Sequence, residues 1–267
     1  MVARPKVLVL RTAGTNCDKE TAFAFEALGA EAELLHINVL IENKKKLFDF
    51  QILVIPGGFS YGDDIAAGKI LANELKYKLS DELKKFIQGR RLILGICNGF
   101  QVLVKAGILP GNNEFKQEVT LALNDSGRFE DRWVYLKNQK SNSKNQKCVW
   151  AKDLPEIIYL PVAHGEGKFI VQDKSVLNRL MENGQIVLQY CNEEGKLTGY
   201  PYNPNGSELN IAGICDETGR IFGLMPHPER HFQDTQNPKW MRQKKKENIT
   251  DGALILRNGV EYAKKNL

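Results

Sequence analysis

The sequence predicts an α/β fold in which helices flank a mostly parallel central sheet. Short apolar runs alternate with amphipathic segments, the pattern of parallel strands that are joined by helices. The apolar runs show almost no polar alternation, as expected for strands that are covered on both faces. We find no internal repeat and no long low-complexity tract, and we expect residues 1–267 to form a single domain.

The first half of the chain predicts four strands with helices between them. Gly29 ends the first helix, which Asn16 is placed to cap, and Pro56-Gly57-Gly58 stops the third strand. The strands are expected at Lys6–Leu10, Glu31–Ile37, Gln51–Ile55 and Arg91–Leu94, and the helices at Asp18–Leu28, Ala66–Gln88 (broken near Ser80) and Asn98–Ala106.

The second half of the chain is richer in β-branched residues and turns. Lys137–Lys147 contains no apolar residue, so we expect a surface loop there. A last helix is expected at about Asp251–Lys264. Further strands are predicted at Val119–Leu123, Arg132–Leu136, Lys168–Gln172, Gln185–Tyr190, Asn210–Cys215 and Ile221–Leu224.

The composition is that of a globular protein. Hydrophobic residues make up 42% of the chain and charged residues 26%, which argues against disorder. No apolar run approaches the roughly 20 residues that a membrane span needs. The first residues lack the layout of a signal peptide, so we expect a cytoplasmic protein. The net charge of +5 resides in polar loops without interleaved aromatic residues, which disfavours a nucleic-acid binder.

The cysteines predict neither a disulfide framework nor a metal site. They are odd in number, scattered, and include no Cys-x-x-Cys pair. Four of them stand in no informative pattern and are expected to be structural: Cys17, Cys148, Cys191 and Cys215.

Cys97 stands in a pattern that predicts a nucleophile. Gly95-Ile96-Cys97-Asn98-Gly99 follows a buried strand and precedes a helix, which is the thiol version of a nucleophile elbow. The flanking glycines are needed because the turn is too tight for side chains, and the central residue projects at the carboxyl end of the sheet. The helix N-terminus favours a thiolate there.

His227 is the candidate base for this thiol. It lies between two prolines directly after a predicted strand, and Glu229 is placed to hold one imidazole nitrogen while the other takes a proton. His164 also ends a strand-like run and is the rival base, although a substrate contact or a loop-shaping role is favoured for it. His36 has no informative neighbours and is expected to be structural.

A glycine pair offers an oxyanion hole. Gly57 and Gly58 follow a buried strand, and the backbone N–H groups of Gly58 and Asn98 could together bind a developing negative charge. A phosphate-binding loop is rejected because no Gly-Lys-Ser/Thr sequence follows.

Four segments together resemble a known family. They are Pro56–Asp63, Gly95–Gln101, Ala163–Phe169 and Met225–Arg230. In this order they resemble the class I glutamine amidotransferases, and more narrowly the glutaminase subunits of phosphoribosylformylglycinamidine synthase. The resemblance covers Lys6 to Arg230 and extends loosely to the last helix.

The resemblance implies a chemistry and its residues. Cys97 would attack the side-chain amide of glutamine, His227 would act as base and acid, and Glu229 would orient the imidazole. Gly58 and Asn98 would hold the oxyanion. Glutamine would become glutamate and ammonia through a thioester. Three residues would contact the substrate or line its pocket: Gln101, His164 and Gly165.

The resemblance also implies partners. A separate synthetase subunit, joined by a small bridging subunit, would use the ammonia to make formylglycinamidine ribonucleotide in purine biosynthesis. This chain shows no ATP-binding motif, so no cofactor is expected on it, and ATP and Mg²⁺ belong to the synthetase. Asn124–Phe129 resembles a segment near the partner-facing side. The segments Lys137–Lys147 and His231–Asn248 depart from the family pattern.

Two alternative functions stay open. One is a different cysteine-based activity on the same elbow fold, and the other is a binding role without catalysis. A cysteine peptidase or a thiol chaperone would place a cysteine on this turn, but such relatives generally take their histidine soon after it, and here Asn98 follows Cys97. In a non-catalytic binding subunit, Cys97 would have no catalytic role and would form no thioester.

Overall fold

The computed structural model describes residues 4–111, 114–139, 147–242 and 249–267. Within these ranges the chain forms a nine-stranded sheet and a two-stranded ribbon, with α-helices around them. The strands are β1 (Lys6–Arg11), β2 (Glu31–His36), β3 (Ile52–Ile55), β4 (Leu92–Ile96), β5 (Val119–Leu123), β6 (Glu130–Asn138), β7 (Ile157–His164), β8 (Glu166–Val171), β9 (Ile186–Cys191), β10 (Ile211–Cys215) and β11 (Ile221–Leu224). The helices are α1 (Asp18–Ala27), α2 (Ile37–Glu42), α3 (Lys69–Lys78), α4 (Ser80–Gln88), α5 (Asn98–Lys105), α6 (Lys174–Glu182) and α7 (Asp251–Asn266).

One half of the large sheet is parallel. Its strand order is β2-β1-β3-β4-β11, and each neighbouring pair in this run is parallel. Every residue of β3, β4 and β11 is buried, because helices cover both faces of these strands. The predicted fold class is confirmed.

The other half of the sheet is antiparallel. After β11 the order continues β10-β9-β6-β7, and each of these strands runs antiparallel to its neighbour. The ribbon of β5 and β8 is also antiparallel. Strand β7 ends at His164, and β8 begins at Glu166, so both lead toward the carboxyl end of β4.

Helix α7 closes the chain against the turn that follows β11. An added Cβ on Gly252, in its first turn, would lie 2.1 Å from the Pro228 carbonyl oxygen. Further along, an added Cβ on Gly259 would lie 2.3 Å from the ring of Trp150, which is fully buried. Two glycines of α7 therefore allow the helix to touch the backbone and an indole directly.

Several local predictions were wrong. Asn16 does not cap α1; the cap position is taken by Cys17 without a side-chain hydrogen bond. Lys137 and Asn138 belong to β6 rather than to a loop, and Asn138 is fully buried because the backbone of Glu156 and Leu154 satisfies it. Of the rest of the predicted loop, Gln139 and Lys147 lie within the described ranges and residues 140–146 lie outside them.

After β11 the chain forms short 3₁₀ turns between Pro228 and Arg242. Residues 243–248, which belong to the same predicted segment, are not among those described. In the described ranges no helix is both long and apolar enough to cross a bilayer.

Candidate active site

Cys97 occupies a strained turn between β4 and α5. Its backbone has φ 50° and ψ −104°, a conformation that L-residues rarely adopt. The flanking glycines make this turn possible. A Cβ on Gly99 would lie 1.8 Å from the carbonyl oxygen of Ile55, and a Cβ on Gly95 would lie 2.7 Å from the carbonyl oxygen of Gly99. The predicted elbow geometry is present.

The elbow places the Cys97 sulfur between the two halves of the sheet. The Cys97 backbone N–H donates to the Leu224 carbonyl at 2.8 Å, which ties the turn to β11. The thiol donates to the Ala163 carbonyl at 3.6 Å, in β7. Only 5% of the residue is exposed, and it lines a small cavity.

His227 and Glu229 form a buried pair at the end of β11. The imidazole Nδ1 and Glu229 Oε1 are 2.6 Å apart, and both residues are 2% exposed. The His227 backbone N–H donates to the Pro161 carbonyl at 2.9 Å. This contact anchors the turn after β11 to β7, the same strand that receives the Cys97 thiol.

The electrostatic surroundings of His227 favour its protonated form. Burial works against a charged imidazolium, but the Glu229 carboxylate and the Cys97 sulfur beside the ring outweigh burial and raise the pKa of His227 well above its usual value. Its Nδ1 faces Glu229, and its Nε2 is buried without a hydrogen-bond partner among the described residues. The structure therefore brings Cys97, His227 and Glu229 together in the order thiol, imidazole, carboxylate, which is the arrangement of a nucleophile, a base and an orienting group.

Cys17 lies beside the same pair, which the sequence did not predict. Its sulfur, a nitrogen of His227 and an oxygen of Glu229 all lie within 4.8 Å of one another. The sulfur accepts a hydrogen bond from Arg230 Nη2 at 3.2 Å. An added Cβ on Gly57 would lie 3.0 Å from this sulfur and 2.7 Å from the His227 ring, so Gly57 packs against both. Cys17 is buried as expected, but it contacts the base rather than the core alone.

These three atoms are the donor set that a soft divalent cation would take. The Arg230 guanidinium next to the sulfur opposes a cation there, and a metal would also remove Glu229 from its bond with His227. The expectation that the chain binds no metal stays a prediction.

The glycine loop after β3 closely approaches the chain near Thr15. Gly58 has φ +143°, and a Cβ on it would lie 2.8 Å from the Asn16 nitrogen and 2.9 Å from the Gly14 carbonyl oxygen. The Asn98 backbone N–H lies in the first turn of α5, where amides have no acceptor within the helix. Gly58 and Cys97 line the same cavity. Their role in an oxyanion hole stays a prediction.

A chain of amides fixes the residues that follow the nucleophile. The Asn98 side chain accepts from the Ser60 N–H at 3.2 Å and donates to Asp63 Oδ1 at 3.2 Å and to Gln101 Oε1 at 2.9 Å. Gln101 Nε2 donates to the Glu166 carbonyl at 2.5 Å. Gln101 lines the cavity, but both ends of its amide are already bonded within the protein.

His164 is a neutral ring at the wall of this cavity. Burial, together with the charge of nearby His227, lowers the pKa of His164 to about 3. Its Nδ1 lies 3.2 Å from Asn124 Oδ1, an oxygen that can only accept, so Nδ1 carries the proton and Nε2 is an acceptor. No described residue bonds to that buried Nε2. A ring that stays neutral to such low pH is a poor base, which favours the substrate-contact reading of His164.

The cavity itself has a volume of about 170 Å³. This is below the roughly 300–1,000 Å³ of pockets for drug-sized ligands and suits a molecule of amino-acid size. Larger cavities of about 800 and 600 Å³ lie elsewhere and contain neither Cys97 nor His227. The site cavity is lined by Gly58, Phe59, Asp63, Ala67, Cys97, Gln101, Leu123, Phe129, Ala163, His164, Gly165 and Glu166.

Comparisons with known proteins show the family of the chain. A family model described as the CobB/CobQ-like glutamine amidotransferase domain matches residues 4–263. A phosphoribosylformylglycinamidine synthase subunit PurQ of Dehalococcoides mccartyi is 47% identical over 264 residues, covering 98% of this chain and 99% of the relative. The subunit PurQ of Archaeoglobus fulgidus is 46% identical over 275 residues and covers 97% of each chain.

A solved structure extends the similarity to three dimensions. A chain in the structure of PurLQS from Thermotoga maritima superposes with a TM-score of 0.71 at 31% identity, covering 97% of this chain and 99% of that chain. Fold and site define a glutamine amidotransferase, and the chain belongs to the CobB/CobQ-like glutamine amidotransferase family. Within that family it belongs with the PurQ subunits of phosphoribosylformylglycinamidine synthase.

Proposed function

We propose that this chain hydrolyses glutamine and supplies the ammonia to phosphoribosylformylglycinamidine synthase in purine biosynthesis. The proposal depends on one observation above all. The sulfur of Cys97, on a strained elbow, lines an amino-acid-sized cavity beside a buried His227–Glu229 pair. Membership in the PurQ family gives the assembly in which this chemistry is used.

The first half of the reaction forms a thioester. The Cys97 thiolate attacks the side-chain amide carbon of glutamine, and the oxygen of that amide takes the negative charge. The N–H groups of Gly58 and Asn98 bind this oxyanion. His227, which holds the proton that left the thiol, gives it to the amide nitrogen as the C–N bond breaks. Ammonia leaves, and the glutamyl group stays on sulfur.

The second half releases glutamate. A water molecule gives a proton to the now neutral His227 and attacks the thioester carbon. The C–S bond breaks, glutamate leaves, and the proton pair of thiolate and imidazolium is restored. Glu229 keeps Nδ1 protonated through both halves, so that Nε2 is the nitrogen that exchanges protons.

The rim of the cavity supports a partner on this face. Phe59 and Phe129 are 45% and 52% exposed, and their rings stack at 6.4 Å between centroids. Leu123, which lines the same cavity, is 71% exposed. Exposed apolar groups around a reactive centre are typical of a protein interface. We assign this face to the synthetase subunit together with a small bridging subunit, in line with the PurLQS assembly of the structural relative.

The remaining chemistry of the synthase belongs to that partner. We assign ATP and Mg²⁺ to the synthetase and no cofactor to this chain. We also propose that the chain works in the cytoplasm. All five cysteines lie in described ranges and are free thiols, and a reducing compartment keeps such thiols and a thiol nucleophile reduced.

A peptidase or thiol chaperone is the weaker assignment. Its substrate would be a polypeptide, for which the cavity of about 170 Å³ is too small. The residue after the nucleophile is Asn98, whose side chain is held by Ser60, Asp63 and Gln101 and supplies no base.

Substitution of the nucleophile tests the proposal. In the enzyme assembled with its synthetase, Cys97→Ala should lower glutamine hydrolysis more than about 10⁴-fold, because no other group forms the thioester. Synthesis from added ammonia should persist, since that step belongs to the partner. A glutamine analogue with an electrophilic carbon should label Cys97, as located by mass spectrometry.

The matched control is Cys191→Ala, which removes a buried thiol that does not line the cavity. This variant should keep its activity and its label. Normal glutamine hydrolysis by the Cys97→Ala enzyme would reject the proposed function.

A further inference from the structure

We propose that the Glu166 carboxylate binds the α-ammonium group of glutamine and so makes the site specific for an amino acid amide. The inference rests on the proposed function and adds a specificity residue to it. Glu166 is the first residue of β8, and its side chain faces the cavity that holds Cys97.

The charge of the cavity wall fits a cationic group. Two charged side chains line the cavity, Asp63 and Glu166, and both are acidic. The histidine of the wall, His164, stays neutral. The α-ammonium group of glutamine is unchanged by the reaction at the side-chain amide. A carboxylate is the strong, charge-assisted hydrogen-bond acceptor for such a group.

The two acids differ in how much of their bonding capacity is used inside the protein. Asp63 Oδ1 accepts from the Gly68 N–H and from Asn98 Nδ2, both at 3.2 Å. These bonds hold the loop after β3 and the residue behind the nucleophile. The Asp63 carboxylate therefore serves to hold the residues around the elbow, and burial raises its pKa.

Glu166 is instead held in place while keeping acceptor capacity. The Ala67 N–H lies 3.3 Å from both carboxylate oxygens, and Lys105 Nζ lies 3.4 Å from Oε2. The Lys105 amine is itself bonded to the Ala67 carbonyl at 2.6 Å. Gln101 Nε2 fixes the Glu166 backbone. With about four acceptor sites on a carboxylate, these donors leave room for an ammonium.

The position along α5 also fits. Gln101 and Lys105 follow Cys97 by one and two helical turns, about 6 and 12 Å along the axis. The Glu166 backbone carbonyl accepts from Gln101 Nε2, and its carboxylate pairs with Lys105 Nζ. Cys97 and Glu166 thus line one wall of the cavity, and we place the ammonium group of a glutamine bound at the sulfur beside this carboxylate.

A second feature shows that the wall is built for a polar occupant. The His164 Nε2 acceptor is buried and has no partner in the described part of the chain, although its residue lines the same cavity. Buried polar atoms are normally bonded, so an unbonded one in a cavity wall marks a place for a ligand donor. Beside the nucleophile, the cavity wall thus carries the Glu166 carboxylate and a histidine with an unbonded ring nitrogen.

The test compares two substrates on Glu166→Gln in the assembled synthase. Glutamine and 4-carbamoylbutanoate differ only by the α-ammonium group. For glutamine the substitution should raise KM about 10- to 100-fold with kcat changed less than about 3-fold, because a charge-assisted hydrogen bond is lost. For 4-carbamoylbutanoate kcat/KM should stay within about 3-fold of the wild-type value.

Two further variants keep the test decisive. Glu166→Asp retains the charge and should restore part of the preference for glutamine. It is also the variant to measure if Glu166→Gln fails to assemble, as judged by synthesis from added ammonia. Asp63→Asn should affect the two substrates alike.

The outcomes separate the two proposals. If Glu166→Gln lowers kcat/KM equally for both substrates, or changes neither, Glu166 does not bind the ammonium group and this inference is wrong. If the wild-type assembly itself releases no glutamate from glutamine, the proposed function fails instead.

Discussion

His164 and His227 are both buried imidazoles of one site, yet their surroundings shift them in opposite directions. His227 contacts a carboxylate and is pushed toward its protonated form. His164 is bonded to the neutral Asn124 side chain, and burial together with the nearby His227 charge keeps it unprotonated, with a pKa of about 3. Two identical side chains thus suit two tasks, because their neighbours differ.

At the residue scale, the contribution of Glu229 can be read from a pH profile. The carboxylate stabilises the imidazolium of His227, so Glu229→Gln should lower the pKa of His227 and move the alkaline limb of kcat/KM to lower pH. The loss of kcat should be smaller than for His227→Ala, which we expect to cost about 10²- to 10⁴-fold. Steady-state glutaminase rates between pH 6 and 9 measure both effects. An unmoved alkaline limb would contradict the assigned role of Glu229.

Single residues were predicted well where the chain provides a local pattern. Cys97 lies between two glycines at a strand end, and His227 lies between two prolines, so both could be selected from the sequence. Cys17 had no such pattern. Its contact with His227 exists only because the start of α1 meets the end of β11, a relation between residues 210 positions apart. Asn16 likewise resembled a cap but bonds to Cys17 instead.

At the scale of elements, the elbow depends on how closely β3, β4 and α5 approach one another. Gly99→Ala would place a methyl group 1.8 Å from the Ile55 carbonyl oxygen, and α5 would have to move off the sheet. We expect a loss of about 3 kcal/mol or more in the free energy of unfolding, or failure to fold.

The control for this variant is Gly199→Ala, where an added Cβ meets nothing within 4 Å. Thermal unfolding of both variants measures the difference. A Gly99→Ala protein as stable as the wild type would show that the close approach is not required.

The helices that escaped prediction are short and carry weak signals. α2 has the sequence Ile-Asn-Val-Leu-Ile-Glu, in which β-branched residues favour a strand. The predicted second strand included its first residue, Ile37, and no helix was predicted over the remainder. α6 could have been found, since Asp173 accepts from the N–H groups of Ser175 and Val176, a standard N-cap. Strands β3 and β4 and helix α5 were predicted because glycines interrupt or follow their apolar runs, whereas β7 was given no predicted bounds.

At the scale of the whole molecule, His164 makes the folded state sensitive to acid. In the unfolded chain its imidazole takes up a proton near pH 6.5, whereas in the folded protein it does so only near pH 3. The unfolded state therefore binds more protons between these values, and stability falls as pH falls. His227 acts in the opposite sense, since its raised pKa favours the folded state below pH 6.5.

The difference between wild type and His164→Asn isolates this effect. From pH 7 to pH 5 the wild type should lose about 2 kcal/mol of unfolding free energy relative to the variant. Urea unfolding at the two pH values measures it. Parallel pH dependence of the two proteins would show that His164 does not titrate as its burial implies.

The general architecture followed from the sequence, but the order of the strands did not. The parallel strands were recognisable as fully apolar runs, and their fold class is confirmed. The pairing of β11 with β4, between residues 128 positions apart, and the antiparallel strands beyond it depend on contacts that no local pattern records. The single-domain assignment stays a prediction.

The closure of α7 on the Pro228 turn has a consequence for the protein while it is being made. Cys97 is synthesised 130 residues before His227, and the helix that packs on the histidine's turn follows later still in the chain. A nascent chain that has not yet reached His227 therefore carries its reactive sulfur without the proposed base. Glutamine hydrolysis by the proposed mechanism cannot begin before the turn after β11 has been made and has folded against the site.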